Sequence, residues 1–118
     1  MEWPGYDAVV LTAVAIGGGR SLDGLVAAID VCNHDVPPFE VVGPALGRLA
    51  GAGMIEQRRS KFRLTRYGRS IVRGTRAATI ARVSEVRLQL ASVKLGDQPT
   101  VVKREDWDAA VARYLASH

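Results

Sequence analysis

Apolar residues occupy almost every position from Tyr6 to Ile16, bracketed by Pro4-Gly5 and by Gly17-Gly18-Gly19. Such a run predicts a mostly buried helix, and three successive glycines end it in a permissive turn. Ser21 then offers a hydroxyl that can cap a second helix. Leu22, Leu25, Val26 and Ile29 follow at i, i+3, i+4 and i+7, one face of a helix turned to a core. Asn33-His34 and Pro37-Pro38 mark its end. A third helix is expected from about Phe39 to Ala52, with Val42, Leu46, Leu49 and Gly53 on its inner side. Gly43-Pro44 interrupts it: proline costs ~3 kcal/mol in a helix interior. The element is therefore either kinked or begins again at Pro44, where a first-turn proline is tolerated.

After Gly53 the period falls from that of a helix to that of a strand. Met54–Arg58 and Lys61–Thr65 alternate, with Ile55, Phe62 and Leu64 inward and basic residues outward, around an Arg59-Ser60 turn. Thr65 can cap the next helix, expected to be the longest. Along it Val72, Thr79, Val83, Val86, Leu90 and Val93 step by seven and then by 4, 3, 4 and 3. That narrow seam suits helix pairing, either between subunits or within one. Gly96-Asp97-Gln98-Pro99 ends it, and a last helix from about Glu105 to Ser117 places Trp107, Val111, Tyr114 and Leu115 on one side. The pattern predicts a mainly α chain with a small β-hairpin: a domain over 1–73 and a helical extension over 74–118 packed on it.

Composition sharpens this picture through charge. The 118 residues are 47% hydrophobic and 24% charged, as in an ordinary globular domain, with a formal net charge of +4. That total hides an asymmetry. Residues 1–57 carry two basic against seven acidic side chains, whereas residues 58–87 carry ten basic against Glu85 alone. A block this basic implies a polyanionic partner or a strongly solvated face. Nine of its ten cations are arginine, whose planar fork suits phosphate. The apolar run Ala8–Ile16 is nine residues long, against the ~20 needed to cross a bilayer. With no signal-type start and the single Cys32, the expectation is a soluble, cytoplasmic protein without a membrane partner.

Other chemistry is thinly supported. Asp30 and His34 would share a helical face, but Cys32 would point elsewhere and no second ligand cluster exists, so a helix end with a buried thiol is the better reading than a metal site. Gly17-Gly18-Gly19-Arg20 lacks the spacing and flanking strand of a phosphate loop. No nucleophile–base pair stands out. Neither enzymatic activity nor a cofactor is expected.

Two stretches carry a family resemblance. Leu46-Gly47-Arg48-Leu49-Ala50-Gly51-Ala52-Gly53-Met54-Ile55 is similar to the pattern that closes the recognition helix and enters the wing in MarR-like and PadR-like regulators. Phe62-Arg63-Leu64-Thr65-Arg66-Tyr67-Gly68 resembles their wing exit. The resemblance covers about residues 39–73. It implies a winged helix-turn-helix with two C-terminal helices and a bacterial transcription regulator that binds double-stranded DNA, usually as a homodimer. It places the third helix in the major groove and the wing on the phosphate backbone. Arg58, Arg59, Lys61, Arg63 and Arg66 are then the expected phosphate contacts. Thr79, Val83, Val86, Leu90 and Val93 would form the dimer seam. The outer face of the third helix offers Glu40, Val41, Pro44 and Arg48, of which Arg48 alone is an obvious base reader. Val41 and Pro44 suit a thymine-methyl contact, a protein contact or partial burial, the last being commonest for such residues. The competing reading is a winged-helix protein-interaction module that has lost base readout. These residues name no small-molecule effector.

Overall fold

In the computed structural model, residues 3–59, 61–72 and 79–117 are described, with the side chains of 79–81 excepted. Gly5–Ala15 forms α1, and a 3-10 turn at Gly18–Arg20 leads into α2 (Leu22–Asn33). Then come α3 (Phe39–Gly51), strands β1 (Ile55–Arg58) and β2 (Lys61–Leu64), α4 (Arg66–Val72), α5 (Thr79–Leu90) and α6 (Arg104–Ser117). The described residues are thus mainly helical, with one two-stranded antiparallel sheet among them.

α1 is apolar all round because it is surrounded: every residue from Asp7 to Val14 is buried. It lies at the centre, touched by α2, α3 and α5 and by β2. Gly17 ends the helix region with φ 103°, a left-handed conformation that glycine adopts without cost. Ser21 caps α2 as expected, its hydroxyl accepting from the Gly24 amide at 3.0 Å. His34 closes α2 at φ 57°. α3 runs unbroken through Pro44, so there is no restart there.

The hairpin is in register from Ile55↔Leu64 to Arg58↔Lys61. Ile55 and Phe62 are buried, and Leu64 is half-buried against the core. Thr65 then ties two reversals together. Its hydroxyl donates to the Gly53 carbonyl at 2.5 Å and accepts from the Gly68 amide at 3.0 Å. At Gly68 a Cβ would stand 2.0 Å from the Met54 carbonyl oxygen, so only glycine lets α4 lie this close to the start of the hairpin. The Leu-Thr-x-x-Gly signature is therefore a backbone device.

The extension adds to the core rather than standing beside it. Val83, Val86 and Leu90 of α5 are buried with α1. α6 lies on α2, and Trp107 is fully buried with its indole N–H donating to the Pro37 carbonyl at 3.0 Å. Tyr114 is half-buried on the same side, but Leu115 is 60% exposed, contrary to its expected place on the inner face. The residues joining α4 to α5 lie outside the described set, as does Ser60 of the hairpin turn. Among the described residues, no helix is long and apolar enough to cross a membrane.

Candidate functional site

Strand alternation sorts the hairpin into an inner and an outer face. Because Glu56 pairs with Arg63 and Arg58 with Lys61 in the ladder, all four share the outer face. Arg63 donates through Nε to Glu56 at 2.6 Å, an exposed pair of small worth that another anion can replace. Arg58 and Lys61 form no ion pair among the described residues, although they stand directly opposite each other. Like charges in that position are destabilising. Arg59 follows at φ 54° in the turn, and all three side chains are exposed. Four of the five expected phosphate contacts thus lie on one small hairpin. The fifth, Arg66, opens α4 and is also exposed.

The outer face of α3 is built differently from a base-reading surface. Arg48 does not reach outward. Its Nε and Nη2 donate to the two carboxylate oxygens of Asp7 at 2.6 and 2.8 Å. Asp7 is 0% exposed, and this bidentate bond holds the guanidinium firmly charged. In the structure Arg48, the expected base contact, neutralises a carboxylate on the central helix. Glu40 is bonded by Arg104, which holds its carboxyl below the usual range and stacks over the Phe39 ring at 5.1 Å. Pro44 remains exposed and Val41 half-buried.

Further along that face the backbone of another segment comes close. The segment from about 95 to 101 crosses α3 over Gly47 and Gly51. A Cβ on Gly47 would lie 2.0 Å from the Gln98 carbonyl oxygen, and one on Gly51 would lie 2.5 Å from the Asp97 nitrogen. Gln57 of β1 secures this strap, its Oε1 accepting from the Thr100 hydroxyl at 3.0 Å and the Val101 amide at 3.3 Å. Gly47→Ala tests the seating by its sign. On an open helix face alanine should stabilise by about 0.5–1 kcal/mol. Under the strap it should destabilise by about 1–3 kcal/mol, as overpacking does. Faster tryptic cleavage at Lys94 and Lys103 should accompany the loss. A stabilised variant with unchanged cleavage would show that the strap does not sit there.

The residues of the expected dimer seam pack within the chain. Val83, Val86 and Leu90 face α1 of their own chain and are at most 6% exposed, while Val93 is half-buried against the same core. The side chain of Thr79 lies outside the described residues. Two further residues of the basic block, Arg73 and Arg76, lie outside them too.

Asp30, Cys32 and His34 do not converge. Asp30 accepts from the Tyr114 hydroxyl at 2.5 Å, and His34 caps the helix. Burial pushes the Cys32 thiol up to about 11, partly opposed by the charge of Arg82. Among the described residues no group of three His, Cys, Asp or Glu side chains is placed to hold a metal ion.

The comparisons add no relative. No family model, no curated protein and no solved structure matches this chain.

Two participants were missed from the sequence. Asp7 carried a weak signal, being the one acid at the edge of an apolar helix. Arg20 carried none, because its place beside the hairpin depends on a packing between residues some forty positions apart.

Proposed function

We propose that the protein is a winged-helix DNA-binding transcriptional regulator that holds the duplex chiefly by its phosphate backbone. The hairpin is the wing of this reading. What carries it is the pair Arg58 and Lys61: like charges kept face to face, with Arg59 at the turn between them and no carboxylate neutralising them among the described residues. An anionic partner removes the repulsion, and a duplex supplies closely spaced phosphates. The order of three helices, hairpin and helix, with the Gly53–Thr65–Gly68 backbone device, supports the fold half of the reading. A cytoplasmic setting goes with it.

The outer face of α3, where Arg48 and Glu40 are already paired, favours a second reading, a winged-helix module that binds protein and reads no bases. One titration separates the two. Replacing Arg58, Arg59 and Lys61 by alanine should weaken duplex binding about equally across sequences. It should also flatten the dependence of log K on log salt by up to ~2.7, at ~0.9 for each phosphate that is no longer neutralised. An unchanged slope would take the hairpin off the backbone and leave the protein-binding module as the better reading.

A further inference from the structure

The hairpin cations have a neighbour from the other end of the fold. Gly18 and Gly19 are buried, and the 3-10 turn they form is pinned on two sides. A Cβ on Gly18 would stand 2.6 Å from the Ala28 Cβ and 2.8 Å from the Ala13 carbonyl oxygen. A Cβ on Gly19 would stand 1.8 Å from the Phe62 carbonyl oxygen. The turn therefore presses its bare backbone on β2, and the next residue, Arg20, emerges exposed beside the hairpin. Between them lies a cleft of about 520 Å³ lined by Arg20, Arg58 and Lys61 over Phe62. The same three cations line an adjoining hollow of about 710 Å³ that extends to Ser21 and Arg59. The carboxylate at the rim, Glu56, is already bonded by Arg63.

We infer that Arg20, Arg58 and Lys61 form one seat for a phosphate group, in the cleft between the 3-10 turn and the hairpin. Two guanidinium forks and one ammonium present donors with fixed geometry on one side and a mobile point charge on the other. A tetrahedral oxyanion can accept from all three. Buried glycine contacts hold the backbone on which the three residues stand, so their stems are brought to one cleft before a ligand arrives. The phosphate is either a diester of a duplex, in which case the inference rests on the function proposed above, or the terminal group of a small phosphorylated molecule.

The test uses the full chain, a short DNA duplex and inorganic pyrophosphate as probes, and Lys94→Ala as a control that removes the same charge away from the cleft. Circular-dichroism melts check that each variant is folded. Arg20→Ala, Arg58→Ala and Lys61→Ala should each weaken duplex binding to a similar extent, and removing all three together should lower the salt slope by ~0.9 for the one phosphate they share, while Lys94→Ala leaves both nearly unchanged. Pyrophosphate should shift the amide resonances of Arg20, Arg58 and Lys61 and compete with the duplex. If the parent protein ignores duplex DNA yet pyrophosphate shifts those resonances, the seat stands and the DNA reading falls. If the triple hairpin variant loses duplex binding while Arg20→Ala behaves as Lys94→Ala, the seat is wrong and the DNA reading stands. No response to either probe overturns both.

Discussion

Arg48→Ala should destabilise the protein by about 3–5 kcal/mol, the cost of breaking a buried ion pair from one side. The carboxylate left behind is that of Asp7, with no exposure and no other partner of opposite charge in the described structure. The reverse substitution, Asp7→Ala, should cost less. It strands a guanidinium whose side chain is 23% exposed and which can turn toward water. Combining Asp7→Leu with Arg48→Met should recover most of the loss, because a well-packed apolar pair is often as stable as a buried ionic one. Urea denaturation of the three variants gives the order directly. The result also bears on recognition. Any fall in DNA binding by Arg48→Ala should follow the folded fraction and be the same for every sequence. A variant as stable as the parent that loses affinity for one sequence alone would restore Arg48 as a base reader.

Trp107→Ala should be of similar severity, about 3–5 kcal/mol, as large-to-small changes at buried aromatics are. Trp107 is the largest fully buried side chain and holds α6 against the rest of the fold. Its indole also satisfies the buried Pro37 carbonyl, the turn that sets where α3 begins. Trp107→Phe should therefore keep much of the packing and still cost about 1–3 kcal/mol for the unmade hydrogen bond. A near-neutral Trp107→Ala in thermal melts would mean that α6 is not docked in solution.

What was legible in the sequence was local. Ser21, Thr65 and the 55–64 alternation act within a few residues of their targets, so their chemistry announced the caps and the hairpin. The hairpin arginines were legible for the same reason: an exposed charge needs no partner to be placed. The Arg48–Asp7 pair was not legible because its partners lie 41 residues apart, and a face of α3 drawn on a helical wheel says nothing of what lies against it. The 4-3-4-3 spacing does mark a seam, but a stripe of valines packs as readily on α1 of the same chain as on a second copy. The strap over Gly47 and Gly51 has no periodicity at all, and only the close backbone approach it requires betrays it.

The long-range closures have a consequence for the order in which the chain can fold. Trp3 donates to the Val93 carbonyl, Asp23 binds Arg113 and Pro37 binds Trp107, so the first third of the chain is completed by the last. A nascent chain that has emerged only as far as the hairpin carries α1 with the side meant for α5 still bare, and α3 without its strap. Such contacts are closed late and over long loops, which slows folding. During synthesis, at about 5–20 residues per second, the central helix must remain partly uncovered for some seconds. The hairpin, whose pairs are close in sequence, can form within that interval. A hairpin formed then would present its basic surface before the hydrophobic core is sealed.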